Sequence, residues 1–285
     1  MRILKCWLGC VESLAITALL LCAPAWASEK SIAGPIRIPL YFESGLPTVH
    51  ATLSGKPVSL IIDLGGFSPL ALNKEKLSVV PVEFSKRLDH WQDANGHVFA
   101  TRTYLARNLV AGGLMLAGLH GSELTVPLAS GQDGYLGFGL LSNYLVVFDY
   151  PGSELRLYPS GSGTALREEC GSDVIPIDID NGVVESTVET DRGKFVFQLD
   201  TGSSQNILRP SALGMAPGGM MPDGMQMTSV VFSKYGLGRQ DFGRMRFTLR
   251  EFAAPNVDGV LGTPFFKSRI VCVDIGKHVA AIKNG

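Results

Sequence analysis

The sequence predicts a mainly β protein made of two homologous lobes, each a small β-barrel or sandwich. Three observations support this fold class. The chain repeats itself once, its hydrophobic residues alternate with period two in short runs, and its 33 glycines and 16 prolines suit many short strands joined by turns.

The repeat appears first in segments that open each half. Ile38–Leu46 matches Ile175–Val183 at an offset of 137 residues. The match runs without a gap to Leu60–Gly65 and Phe197–Gly202. This unit is far longer than a solenoid repeat and occurs only twice, so it indicates two lobes rather than an array.

A second pair of matching segments follows in the same order. Asp133–Gly137 matches Asp258–Gly262 at an offset of 125 residues. Leu145–Asp149 then matches Ile270–Asp274 at the same offset. The second copy is therefore 12 residues shorter between its two landmarks.

The repeat also predicts the domain boundaries. We expect residues 1–27 to be a signal peptide, 28–160 to form the N-terminal lobe and 161–285 to form the C-terminal lobe. The linker between the lobes is predicted within Pro159–Thr164, because this stretch is small, polar and glycine-containing, which favours a flexible chain.

Local patterns are mostly those of strands. Hydrophobic residues alternate along Val58–Ile62 and along Phe195–Leu199, just before the end of each first landmark. Asn95–Gly96 predicts a two-residue hairpin turn, because both residues tolerate positive φ. Short helical turns are predicted only at Asn73–Leu77 and Leu140–Tyr144.

Composition excludes some classes of protein. Hydrophobic residues make up 46% of the chain and charged residues 18%, which allows a packed core and argues against disorder. The formal net charge is −1 and no long run of Lys or Arg occurs, so the sequence predicts no nucleic-acid binding.

One aspartate stands at the same place in each copy. Asp200 begins the run Asp-Thr-Gly-Ser-Ser, and Asp63 begins the run Asp-Leu-Gly-Gly. Each follows an apolar alternating strand, and the glycine that comes two residues later allows a tight turn. We therefore expect each carboxylate to project from a loop held by a rigid sheet.

Together these motifs resemble the pepsin/retropepsin clan of aspartic proteases. Leu60–Gly66 and Phe197–Ser204 match the strand and its Asp-Thr/Ser-Gly loop in each half, and Tyr135–Gly137 and Val260–Gly262 match the later apolar-apolar-Gly segment. The match covers nearly all of the chain after the N-terminal segment. The short lobes resemble bacterial retropepsin-like domains in tandem.

The resemblance implies a bilobal aspartic-protease fold, with two small β-barrel lobes and the active cleft between them. It also implies an aspartic endopeptidase that cleaves peptide or protein substrates without a cofactor or a metal ion. Asp63 and Asp200 are the expected catalytic residues. Two like charges at close range cannot both ionise cheaply, so the pair shares one proton. One carboxylate activates a water molecule and the protonated one donates to the scissile carbonyl. An optimum at acidic to mildly acidic pH is implied.

The resemblance also assigns support of the two loops to Gly65, Thr201, Gly202 and Ser203. Leu64 departs from the family pattern, in which a threonine hydroxyl reaches across to the other half and steadies the aspartates. Leucine has no hydroxyl. We expect Thr201 to lose its side-chain partner across the lobes, unless its hydroxyl bonds to backbone instead.

A flap that closes over the peptide is also implied, and His90–Val98 is the candidate hairpin. Trp91 and His97 are the side chains on it that could contact substrate. The alternative is an exposed hairpin with ordinary side chains. No tyrosine of the pepsin-type flap is evident there.

The N-terminus has the pattern of a secretion signal. Arg2 and Lys5 precede an apolar run at 14–23, and the small-x-small pattern of Ala25–Ala27 follows. We therefore expect an exported protein, periplasmic or extracellular, with no stable membrane anchor after cleavage. An uncleaved anchor, or a lipoprotein modified at Cys22, are the alternatives. Two fused lobes remove the need for a dimer, so a monomer is predicted.

The cysteines that remain after such a cleavage are Cys170 and Cys272. In an oxidising compartment they could form one disulfide. Two buried thiols are the alternative, because their separation in space cannot be read from the sequence.

Other motifs give little support to other chemistries. A methionine-rich run, 215–227, could bind copper(I) through soft thioethers, offer an adaptable apolar contact or simply be a mobile loop. The five histidines have no metal-site spacing. There is no Gly-x-Ser-x-Gly motif, and Gly112–Gly113 lacks a phosphate-loop pattern.

Two functions therefore remain in view. The first is an active exported peptidase that uses Asp63 and Asp200. The second is a catalytically weak or inactive bilobal peptide-binding protein, which Leu64 favours because the positioning of catalytic groups contributes heavily to rate.

Overall fold

The computed structural model describes the chain as a set of short strands with a few one- or two-turn helices. It describes residues 34–92, 96–128, 131–180, 182–221, 225–254 and 256–285. The signal peptide predicted at 1–27 therefore lies outside the described residues. Among the described residues, no helix is long and apolar enough to span a bilayer.

Short strands follow one another along both halves of the described chain. The first ten are β1 (Ile36–Pro39), β2 (Thr48–Leu53), β3 (Lys56–Asp63), β4 (Leu70–Asn73), β5 (Val82–Gln92), β6 (Val98–Ala111), β7 (Leu114–Leu124), β8 (Gly134–Gly137), β9 (Tyr144–Asp149) and β10 (Glu154–Pro159). The others are β11 (Val174–Pro176), β12 (Asp178–Asp180), β13 (Val183–Thr190), β14 (Gly193–Leu199), β15 (Ile207–Leu208), β16 (Ser229–Phe232), β17 (Tyr235–Leu237), β18 (Gln240–Asp241), β19 (Met245–Leu249), β20 (Gly259–Leu261), β21 (Arg269–Asp274) and β22 (Val279–Asn284).

The described α-helices are α1 (Lys74–Leu77), α2 (Phe138–Leu141), α3 (Gly163–Cys170) and α4 (Thr263–Phe266). Two of them fall where the sequence predicts short helical turns. Asn73 caps α1, because its side chain accepts a hydrogen bond from the N–H of Lys76. The Leu140–Tyr144 turn begins two residues earlier than predicted, as α2.

The first lobe is a closed barrel. Its strands follow the order β2-β3-β8-β4-β7-β6-β5, and an added pairing of β2 with β6 closes six of them into a ring. The strand β5 continues the sheet beyond this ring. The interior is mostly aliphatic, with Leu53, Leu60 and Leu72 fully buried. Closure removes the free sheet edges that the six strands would otherwise have.

The second lobe has the equivalent sheet in the order β16-β19-β15-β20-β14-β13-β17-β18, with β12 paired to β13. Its core is aromatic where that of the first lobe is aliphatic. Phe197, Phe247 and Tyr235 contact one another with ring centroids 5.1 to 6.1 Å apart. Both cores belong to one contiguous cluster of buried side chains.

A six-stranded sheet joins the two lobes, in the order β1-β10-β9-β21-β22-β11. At its centre β9 pairs with β21, so that Leu145 faces Asp274 and Asp149 faces Ile270. At the 125-residue offset Leu145 corresponds to Ile270 and Asp274 corresponds to Asp149, so the first pair is equivalent to the second. The sheet therefore has an approximate two-fold axis at the Val147–Cys272 pair.

The repeat is also visible in the register of the strands that lead to the aspartates. In β3 and β8 Leu60 pairs with Gly134, and in β14 and β20 Phe197 pairs with Gly259. These positions differ by the two offsets read from the sequence. Bilobal β architecture is therefore confirmed, with the two copies in matching registers.

The segment predicted as a flexible linker lies between a strand and a helix. Pro159 ends β10, and Gly163 begins α3. Between them the Ser160 hydroxyl and the Gly161 N–H donate to the carboxylate of Asp274, both at 2.6 Å. A strand end, a helix start and two charge-assisted hydrogen bonds therefore surround the predicted linker, and its flexibility stays a prediction. The boundary between residues 160 and 161 stays a prediction.

Cys170 and Cys272 form a disulfide, with Cα atoms 6.2 Å apart. It ties the end of α3 to the central strand β21. Both residues are buried, and they pack with Leu145, Val147 and Ala281 in a small satellite core. Of the two alternatives left open by the sequence, the structure has the disulfide.

Candidate active site

The two aspartates predicted from the repeat lie together between the lobes. A Cβ placed on Gly65 would be 2.6 Å from Cγ of Asp200, and a Cβ placed on Gly202 would be 2.6 Å from Cγ of Asp63. No side chain fits at such distances, so each loop needs glycine at this position. Each carboxyl is thus packed against the backbone of the opposite loop.

Backbone N–H groups hold the first carboxylate in the pair. The N–H of Gly65 donates to Oδ1 of Asp63 at 2.8 Å. Burial raises the pKa of Asp63 above its ordinary value, while hydrogen bonds from Gly65, from the Asp200 carboxyl and from the N–H groups of Gly66 and Gly202 lower it. Hydrogen bonds to a carboxylate stabilise its ionised form.

The pKa of the second carboxyl is raised as well, and more strongly. Burial, the charge of Asp63 and a hydrogen bond to Asp63 all raise the pKa of Asp200, to well above its usual range. The N–H groups of Gly202 and Ser203 oppose this only in part. Over the pH range in which two separate carboxyls would both be ionised, this pair therefore keeps one shared proton and carries one negative charge.

Thr201 makes the contact across the lobes that the sequence left in doubt. It is fully buried. Its hydroxyl donates to the carbonyl of Ile62 at 2.7 Å and accepts from the N–H of Leu64 at 2.9 Å. Of the two outcomes expected for Thr201, the bond to backbone is therefore confirmed.

Leu64 has no counterpart to these bonds on the other side. Its side chain is fully buried and belongs to the apolar core. Thr201 thus supplies two hydrogen bonds from its hydroxyl to the backbone of the Asp63 loop, and the side chain of Leu64 supplies none in return. Ser203 stays within its own loop, where its hydroxyl donates to the carbonyl of Gln205 at 2.8 Å.

Tyr135 is a member of the site that the sequence did not single out. A Cβ placed on Gly66 would lie 2.6 Å from the Tyr135 ring and 3.0 Å from Oδ2 of Asp63. Burial and the charge of Asp63 raise the pKa of the Tyr135 hydroxyl, and a backbone hydrogen bond from Ser68 opposes them. The sequence repeat could have pointed to Tyr135, because the equivalent position of the second lobe holds the much smaller Val260.

Tyr150 is the second member that was missed. Its ring is buried and stacks on Phe266 with centroids 5.8 Å apart. Its hydroxyl has no hydrogen-bond partner among the described residues. Burial and then the charges of Asp200 and Asp63 raise the pKa of this hydroxyl, so the ring lies within electrostatic reach of both carboxyls. Nothing in the repeat points to this residue.

The candidate flap is a hairpin of β5 and β6, paired from Val82 to Ala106 at its base and from Gln92 to Val98 at its tip. The side chain of Trp91 lies outside the described part of the chain. So do residues 93–95, which include Asn95 of the predicted Asn95–Gly96 turn. His97 is exposed, with its ring 6.4 Å from that of Phe99. Contact of either side chain with substrate stays a prediction.

The methionine-rich run forms a wall of a cavity of the second lobe. Met215, Met221 and Met227 line it together with Phe195 and Arg192. The positive charge of Arg192 disfavours a cation there, which favours an adaptable apolar contact over a copper site. Within the described ranges, no group of three His, Cys, Asp or Glu side chains could hold a metal ion.

Comparison with solved structures places this arrangement in a known fold. An aspartic proteinase from Irpex lacteus is similar with a TM-score of 0.58 over 87% of this chain and 96% of that one, at 12% sequence identity. No family model and no curated protein matches the sequence. At this identity the likeness concerns the fold, which is the bilobal fold of an aspartic proteinase.

Proposed function

We propose that this protein is an exported aspartic endopeptidase that hydrolyses peptide bonds with Asp63 and Asp200. The observation that carries the proposal is the reciprocal packing of each carboxyl on the glycine of the opposite loop. Two carboxyls in hydrogen-bond contact, with one shared proton, are the arrangement that activates a water molecule at this kind of site.

The reaction follows from that shared proton. The ionised carboxylate takes a proton from a water molecule, whose oxygen attacks the scissile carbonyl. The protonated carboxyl donates to the carbonyl oxygen, and a proton is later passed to the leaving amine. The N–H groups of Gly65, Gly202 and Ser203 hold the two carboxyls in place, so the geometry is set before substrate arrives.

The test is digestion of a broad peptide library between pH 3 and pH 7, with Asp63→Asn and Asp200→Asn as matched controls. We expect cleavage by the parent chain and loss on the order of 10⁴-fold in either variant, because both groups act in one step. Cleavage that survives either substitution would show that the residues are assigned wrongly. Circular dichroism of the variants separates this from unfolding.

A second candidate function is peptide binding without cleavage. The buried Leu64 favours it, because one of the two loops has no side-chain hydroxyl to steady it. Peptide binding by a parent chain that cleaves nothing in the library would support this function and exclude the peptidase.

Export and the monomeric state belong to the same proposal. The N-terminal charge and apolar pattern support removal of residues 1–27, and the disulfide suits an oxidising compartment. Mass determination of the mature protein from its host would detect cleavage after Ala27. Light scattering of the purified protein would give the mass of the particle in solution.

A further inference from the structure

A row of acidic and amide side chains crosses the sheet of the second lobe. Asp178 on β12 faces Glu185 on β13, and Glu185 faces Gln198 on β14. Residues directly opposite each other on paired strands project to the same face. Asp180, two residues along β12, adds a third carboxylate to that face.

This face is the one that carries Asp200. Phe197 and Leu199 on β14 are buried in the core. Side chains alternate along a strand, so Gln198 and Asp200 project to the other side. Two residues of strand span about 7 Å, and the directly opposite Glu185 adds about 5 Å. A substrate side chain next to a bond held at Asp200 can reach that far.

Glu185 is unusual for a charged residue in this position. Glu185 and Gln198 are each only 8% exposed, and in the described ranges neither side chain has a hydrogen-bond or ion-pair partner. Burial raises the pKa of Glu185, and the charges of Asp180 and Asp178 raise it further. A buried carboxylate without a partner is costly, and buried charges are normally paired.

The first lobe contributes an aromatic wall beside this row. Phe67 comes just after the Asp63 loop and is 64% exposed. Its ring lies where a Cβ on Gly182 would be, in the turn between β12 and β13. An aromatic ring next to carboxylates is a favourable environment for an organic cation.

The equivalent row of the first lobe is uncharged. There Tyr41, Thr48 and Ile61 take the places of Asp178, Glu185 and Gln198 at the 137-residue offset. Thr48 is buried but satisfied, because its hydroxyl donates to the carbonyl of Leu46 and accepts from Gln132. Of the two equivalent rows, only the row of the second lobe therefore contains a buried carboxylate without a partner in the described part of the chain, Glu185.

We propose that Glu185, assisted by Asp178 and Asp180, binds a lysine or arginine side chain of the substrate next to the scissile bond. This inference rests on the proposed peptidase function and names its substrate class. A long side chain with an apolar stem and a charged end suits a site that has the Phe67 ring beside it, Val260 paired with Gln198 in the next strand, and carboxylates where the charged end would lie. A metal ion fits less well, since the described residues offer no set of three ligands.

The test compares peptides that differ only in having Lys, Ala or Glu at the positions flanking the cleaved bond. We expect kcat/KM to be highest for Lys. Glu185→Gln should lower it for the Lys peptide by about tenfold to a hundredfold and leave the Ala peptide within about twofold. Glu185→Lys should reverse the preference toward the Glu peptide.

Glu189→Gln is the matched control. Glu189 lies on the same strand but is half exposed and already paired with Lys194 at 2.7 Å. We expect this variant to keep the preference for Lys. An equal loss in Glu185→Gln and Glu189→Gln, or no preference for Lys in the parent chain, overturns the proposal while the peptidase function stands.

A binding measurement separates this inference from the proposed function. Calorimetry would use the Asp200→Asn variant and peptides in which a non-cleavable hydroxyl isostere replaces the scissile bond. Tighter binding of the Lys peptide, lost with Glu185→Gln, supports the pocket even if the parent chain cleaves nothing. Calcium binding that depends on Glu185, together with equal affinity for the Lys and Ala peptides, would identify a metal site and overturn the proposal.

Discussion

The two aspartate loops occupy equivalent places in the repeat and are stabilised differently. Thr201 bonds to two backbone groups of the first lobe, whereas Leu64 fills apolar core. Ser203 and Val260 flank Asp200, whereas Gly66 and Tyr135 flank Asp63. The geometry of a two-fold site can therefore persist when the side chains that hold it are redistributed between the halves.

The shared feature of the two loops is the glycine on which the opposite carboxyl rests. Gly65→Ala or Gly202→Ala should each displace a carboxyl and lower kcat/KM by on the order of 10²-fold or more. Gly163→Ala is the control, because its nearest neighbour would be 3.6 Å away and it lies in a helix. Unchanged activity in both loop variants would mean that the pair is not held by this packing.

The difference between Thr201 and Leu64 can be measured by converting both to valine. Thr201→Val leaves a buried N–H and carbonyl without partners, so the free energy of unfolding should fall by about 2–4 kcal/mol. Leu64→Val removes one methylene and should cost about 1 kcal/mol. Urea unfolding gives both values, and equal losses would show that the asymmetry has no energetic consequence.

The exchange of sizes at Gly66 and Tyr135 predicts coupling between these positions. Gly66→Ser should clash with the Tyr135 ring, and Tyr135→Val should relieve the clash, giving the pair found beside Asp200. We expect the double variant to be more stable than the sum of the single changes by about 1–3 kcal/mol. Additive single changes would indicate that the loop moves freely away from the ring.

The shared proton predicts how stability depends on pH. The pKa of Asp200 is higher in the folded than in the unfolded chain because of burial and the Asp63 charge. The folded state therefore binds more protons, and the free energy of unfolding falls as pH rises through that pKa. Asp200→Asn should make this fall smaller and stabilise the protein at neutral pH, because a buried amide replaces a group that must ionise or stay protonated. Thermal unfolding at several pH values measures this dependence. If the stability of parent and variant changes with pH in parallel, the prediction is wrong.

Much of the fold could be predicted because the sequence contains the same structural unit twice. The offset found Asp63 from Asp200, and the registers of Leu60 with Gly134 and Phe197 with Gly259 obey the same offsets. Tyr135 was within reach of the same reasoning, since it differs in size from Val260. Tyr150 was not, because its importance comes only from where its ring packs.

The two lobes, the strands before each aspartate and the pairing of Asp63 with Asp200 could be predicted from the sequence, because alternation and repetition are local or periodic signals. Three further features became known from the three-dimensional structure: Thr201 bonds to backbone across the lobes, Cys170 bonds to Cys272, and Glu185 lies on the face of Asp200 without a partner among the described residues. These depend on how β9 pairs with β21 and how β12 folds onto β13. Contacts between residues distant in sequence leave no local pattern from which to read them.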